Sequence, residues 1–195
     1  MSDRRSFYGT LPDAGTALTT AEYLQTAESV RVQELYYGVL RVAESPTPMH
    51  QSLLLRIATI LDDHVARFRL GTIWIAPLDV IFDARQAVVL QPDLFFVSNA
   101  RKDIVTDHVW GAPDMVLEVL SPHPRIGKLE ERLDTFARYG VHECWVIHQL
   151  LREIEITGLH IPGSRETKRF GKDDVIQSSV LPFFKITAGA LANWH

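Results

Sequence analysis

The stretch APDMVLEVLSPHPRIGK, residues 112–128, sets one carboxylate inside an otherwise apolar run. Met115, Val116, Leu117, Val119 and Leu120 surround Glu118, and a run of that composition predicts a buried strand. A carboxylate taken out of water is costly unless a cation or hydrogen-bond donors meet it. Strand side chains alternate, so Val116, Glu118 and Leu120 share one face while Leu117 and Val119 take the other. Glu118 therefore requires a partner from elsewhere in the chain.

One candidate lies upstream. VVLQPDLFFVS, residues 88–98, places Asp93 at the mouth of a second apolar strand, 25 residues before Glu118. Two strands at that separation can lie side by side and bring the acids together. Carboxylates crowded into an apolar site repel, so one must protonate or a cation must sit between them. A hard divalent ion such as Mg²⁺ suits oxygen ligands of this kind and needs only one or two protein carboxylates. The competing reading is a pair of acids at strand ends, solvated or held by Lys or Arg. It weighs more for Asp93, at a strand mouth, than for Glu118 in mid-strand.

Around these two strands the periodicity alternates between helix and sheet. Residues 1–18 are polar with Gly and Pro and read as a flexible N-terminal arm, leaving 19–195 as a single domain. Thr19 and Glu22 have capping-box spacing before a short helix. VRVQELYYGVLRVAE reads as a hairpin about Tyr37 and Gly38. From Met49 to Phe68 the apolar spacing predicts a long amphipathic helix, with Gly71 as its end. TIWIA, LDVIFD, AVVL and DLFFVS read as strands before the stretch quoted above. After it, Leu129 to Tyr139 returns to helical spacing with Gly140 as the stop. ECWVIHQ, REIEITG and ETKRF read as further strands, and VLPFFKITAGALANW as a turn and a short terminal helix. The mixture predicts an α/β (α+β) domain, a curved, mixed, mostly antiparallel sheet flanked by helices.

Bulk properties bound the function. The chain has 195 residues, 46% hydrophobic and 23% charged, an ordinary globular balance. A net charge of −4 gives no global attraction to nucleic acid, so any such binding needs a local basic patch. The single cysteine, Cys144, cannot form an internal disulfide. With no long apolar span and no apolar core in MSDRRSFYGT, the expectation is a cytoplasmic protein without membrane contact.

QPDLFFV, then GAPDMVLEVLSPHPR, then a helix ending FARYGVHECWVI together resemble the Uma-type (Uma-two) restriction endonuclease family of the PD-(D/E)XK nuclease superfamily. The resemblance covers nearly the whole chain and is most specific from Gly111 to Trp145. It implies a restriction-endonuclease-like core and hydrolysis of DNA phosphodiester bonds with Mg²⁺ or Mn²⁺. By position it implies Asp93 and Glu118 as metal ligands, with the backbone carbonyl of Val119 beside them. It also implies Glu34 as an early acid of the site and His50 as the histidine that opens the long helix. Read from the residues alone, Glu34 shares a strand face with Val30 and Val32. His50 lies on the apolar face with Leu54, Ile57 and Leu61, which suits a hydrogen-bonded residue behind the ligands better than a ligand. Asp114 also follows a proline, but begins its strand and reads as a turn or cap residue.

The superfamily's strand motif ends in a lysine on the same face as the glutamate, where an ammonium offsets charge in the transition state. Leu120 stands there. The resemblance implies a relocated cation on the following helix, and that position holds Arg132, with Lys128 four residues earlier. Lys128 is expected to supply the amine and Arg132 to grip a phosphate, although Arg is bulkier than Lys and effectively never deprotonates. The bland alternative for Arg125, Lys128, Arg132 and Arg138 is a solvated helix face paired with Glu130, Glu131 and Asp134. His148 departs from the family's aspartate after WVI. Two functions compete: a metal-dependent DNA endonuclease, and a catalytically silent relative that binds nucleic acid or another partner. RNA hydrolysis is a third. Trp110 and the residues around Tyr36 and Tyr37 read either as core aromatics or as a dimerisation surface, and a homodimer is expected.

Overall fold

Local chemistry sets the elements of the computed structural model, which describes residues 12–26, 31–120, 128–161 and 164–194. Helix α1, Thr20–Leu24, opens on a complete capping box between Thr19 and Glu22. Strands β1, Gln33–Tyr36, and β2, Val39–Val42, form the expected hairpin, turned by Tyr37 and Gly38 at φ 48° and 82°. Of the expected arm, residues 1–11 lie outside the described residues. Gly15, Thr16 and Leu18 bond along the hairpin, to Leu40 and Gly38.

Helix α2, Pro48–Phe68, starts on the Thr47 hydroxyl, which accepts from the His50 N–H at 3.2 Å. It ends at Arg69 in the left-handed region, two residues before the expected stop at Gly71. Gly71 instead opens β3, Gly71–Ile75. A Cβ there would lie 2.1 Å from the Val97 carbonyl oxygen, so the glycine permits the close approach of two strands rather than a turn.

Next come β4, Val80–Asp83; β5, Val88–Leu90; and β6, Leu94–Ser98. A 3₁₀ turn, Asn99–Ile104, and the two-residue β7, Val109–Trp110, follow without having been predicted. The quoted stretch supplies β8, Met115–Leu120, and helix α3, Leu129–Tyr139, closed by Gly140 at φ 92°. Its middle, 121–127, lies outside the described residues, and Arg125 with it. Strands β9, Glu143–His148, β10, Glu153–Ile161, and β11, Ser164–Phe170, precede the terminal helix α4, Ala188–Ala192.

The α+β class holds, with the strands divided between two mixed sheets. One runs β2-β1-β5-β4-β7 and the other β11-β10-β9-β8-β6-β3. Each is antiparallel but for one parallel pair, β4 with β7 and β8 with β9. Alternation along β8 sorts the core. Leu117 and Val119 pack on the side of α2, with Leu54, Ile57 and Leu61. Val116 packs on the other side, with Leu133 and Phe136 of α3 and with Val80 and Leu90 of the smaller sheet. Glu118 shares the parity of Val116 and so faces α3. Among the described residues no helix is long and apolar enough to cross a membrane.

Candidate active site

Glu118 meets an arginine. Pairing of β8 with β6 runs from Phe96↔Met115 to Leu94↔Leu117 and stops there, so Glu118 lies one residue past the last pair. Its side chain, 11% exposed, receives two bonds from Arg132 of α3. Nε donates at 3.0 Å and Nη2 at 2.6 Å, both to Oε1. Nη1 of the same guanidinium donates to both oxygens of Glu34 on β1, at 2.8 and 2.7 Å. One cation thus joins acids from the two sheets, all three residues being buried. Glu34 is held further by the Gln91 backbone N–H at 2.8 Å.

Asp93 sits just before β6 and aims its carboxylate along the strand end. Its Oδ2 accepts from the Val119 N–H at 2.7 Å, and its Oδ1 lies 3.3 Å from Nε2 of the buried His50. The N–H and C=O of one strand residue leave on the same side, so the Val119 carbonyl points from the β8 edge toward the Asp93 side, beyond the last β6 pair. Nδ1 of His50 is buried with no hydrogen-bond partner.

The charges do not balance. Two carboxylates share one guanidinium, a third, Asp93, is near enough to act on Glu118, and the Glu118 carboxyl is pushed up to about 8. Burial is the largest cause. Arg132 opposes it, while Asp93 and Glu34 reinforce it. Conversely, the two glutamates hold the Arg132 guanidinium protonated against its own burial. The carboxylate and carbonyl oxygens gathered at the end of β8 are hard ligands. These residues therefore fit a divalent cation of the Mg²⁺ or Mn²⁺ kind. Among the described residues no three His, Cys, Asp or Glu side chains form a ready-made cage. An ion here would draw on Asp93, Glu118, the Val119 carbonyl and water.

The two helix cations part company. Lys128 is the N-cap of α3, exposed and non-helical at φ −88° and ψ 143°, and its carbonyl accepts from the Arg132 N–H at 3.2 Å. Arg132 lies one turn in, buried, with its guanidinium on glutamates. The other charges of α3 pair with neighbouring elements: Glu130 and Asp134 with Arg165 of β11, and Glu131 with Arg41 of β2. Arg138 donates to the Tyr37 hydroxyl at 2.8 Å. Asp114 caps, its Oδ2 accepting from the Ser98 N–H at 2.7 Å. His148, in register with Leu120, lies 3.7 Å from Glu155.

Gln91 was not singled out by sequence. Besides its backbone bond to Glu34, its side-chain amide donates at 2.8 Å to Asp79, which also meets the Tyr23 hydroxyl at 2.8 Å. The available signal was a polar residue closing an apolar strand directly before the Pro-Asp pair.

The sequence matches the family model Uma2, described as "Putative restriction endonuclease", over residues 20–189. No curated protein matches it. Among solved structures, the crystal structure of a "putative nuclease belonging to DUF820" from Anabaena variabilis ATCC 29413 superposes with a TM-score of 0.76. The overlap covers 91% of this chain and 98% of that one at 18% sequence identity, which establishes a shared fold.

Proposed function

Because the chain belongs to the Uma2 family of restriction-endonuclease-like proteins, we propose that it hydrolyses DNA phosphodiester bonds with a divalent ion held by Asp93, Glu118 and the Val119 carbonyl. The observation that carries this reading is the excess of carboxylate over guanidinium where Asp93 meets the end of β8. When bound, such an ion lowers the pKa of water and offsets charge on the scissile phosphate. The chain's own residues do the rest. Asp93 is fixed by the Val119 N–H and by His50, so its Oδ1 keeps one direction. Before an ion binds, Arg132 holds Glu118 by Oε1 and is itself anchored by Glu34. Lys128, exposed at the start of α3, contacts the phosphate. The assignment of Arg132 to phosphate gives way to one facing the glutamates, where its donors already lie.

Plasmid DNA incubated with Mg²⁺ or Mn²⁺ tests this. Wild-type protein is expected to nick it, and Glu118→Ala to lose about a hundredfold or more of the rate. Equal rates would end the proposal. One observation favours the silent alternative: Arg132 already neutralises part of the site. Under that reading neither protein nicks DNA or RNA. We also propose a homodimer, with Trp110 and Tyr37 exposed at 41% and 37%. Sedimentation equilibrium at micromolar concentration should then give twice the 22.1 kDa chain mass.

A further inference from the structure

The grip of Arg132 on its two acids is lopsided. Glu34 is engaged through both oxygens by Nη1 and through Oε1 again by the Gln91 N–H. Among the described residues, Glu118 is engaged through Oε1 alone. Glu34 is the more enclosed, with its side chain 1% exposed against 11% for Glu118. A guanidinium is planar and always charged, with its donors in a fixed fork, so it can span two carboxylates as a compact ammonium cannot. Of the two attachments, the one to Glu118 is the less enclosed and stands beside Val119, whose N–H holds Asp93, so it is the one an incoming cation would contest.

We infer that Arg132 is a resident counter-cation, that a divalent ion enters by taking Glu118 from it, and that Glu34 retains the guanidinium when it lets go. Ion uptake is then an exchange, and the arginine in place of a lysine sets its threshold. The inference rests on the reading that Asp93 and Glu118 hold the ion. The donors give the exchange its direction. Glu34 can keep Nη1 on both oxygens while Nε and Nη2 are released, so the buried charge of Arg132 is never left unpaired. A positive ion brought close to a guanidinium is repelled unless the guanidinium withdraws, and Glu34 is the only acid among the described residues, other than Glu118, that pairs with Arg132.

The consequence has two signs. Arg132→Lys replaces the fork by a single ammonium, which cannot bond both glutamates as the fork does, and it should bind Mn²⁺ about ten to a hundredfold more tightly than wild type. Glu34→Gln removes the charge onto which the guanidinium retires and should bind Mn²⁺ about tenfold more weakly. Both are read by calorimetric titration of the full chain with Mn²⁺ and no DNA, and by the shift of the melting temperature on adding Mn²⁺. Binding by Arg132→Lys when wild type shows none would also support the exchange. Weaker binding by Arg132→Lys would overturn it, since Arg132 would then position Glu118 for the ion rather than compete with it. Unchanged or tighter binding by Glu34→Gln would overturn it as well, and so would absence of binding by every variant. Should Arg132→Lys not melt cooperatively, Glu34→Gln decides alone. Because no DNA is present, these results stand apart from the nicking assay: affinities of the stated signs without nicking would remove the nuclease reading and keep the exchange.

Discussion

At the scale of single residues, Glu118 sets a dependence on pH. Its carboxyl moves from 4.5 to about 8, with burial as the chief cause. Between those values the folded chain carries more protons than the unfolded one, so stability falls as pH rises through that window. With no divalent ion, wild-type protein should lose melting temperature between pH 5 and pH 8 more steeply than Glu118→Gln, which has no proton to give up. Equal slopes for the two proteins would place the titration elsewhere. An ion binding at the same carboxylate must displace that proton, so Mn²⁺ affinity should rise by up to about tenfold per pH unit from 6 to 8. Titrations in two buffers of different ionisation enthalpy would report the proton released. Lys128 makes a separate test at this scale. If it meets the phosphate, Lys128→Ala should lower nicking by about tenfold or more while leaving the melting temperature within about 1 °C, as suits an exposed N-cap that makes no side-chain cap bond.

At the scale of elements, much was legible because the signals were local. Capping residues, a period of two or of 3.6, and a glycine stop placed the start of α1, the turn of the β1–β2 hairpin, and α2, α3 and most strands within a residue or two. Gly71 was misread because its cause is not local. Nothing in the sequence says that Val97 of another strand will lie against it, and only the pairing of β3 with β6 reveals it. For the same reason Gly71→Ala should be costly despite the small change. A methyl against a backbone oxygen forces two strands apart, and a loss of about 1–3 kcal/mol in chemical denaturation is expected. Ile57→Ala, in the fully buried row of α2, should cost about 2–5 kcal/mol. The 3₁₀ turn and β7 escaped notice because neither carries an apolar period of useful length.

At the scale of the whole molecule, the site lies where the two sheets come together under α3. The acids Asp93 and Glu118 could be nominated from sequence, since a charge inside an apolar strand stands out on inspection. Their geometry could not. Which of several cations on α3 turns inward depends on where the helix starts, and that boundary, one residue after Lys128, leaves Lys128 in water and buries Arg132. The pairing of Arg132 with Glu34, 98 positions earlier in the chain, is a product of tertiary packing alone.

The clasp of Glu34, Arg132 and Glu118 also bears on how such a sequence can change over time. Each member is tolerable only in the company of the others, because removing one leaves a buried charge without its counterpart. Replacements combined at these positions should therefore cost less than the sum of the single ones, and Glu34→Gln should be partly rescued in an Arg132→Met background. A lineage leaving this arrangement would have to cross a valley or alter two distant codons together. The three positions behave as one inherited character.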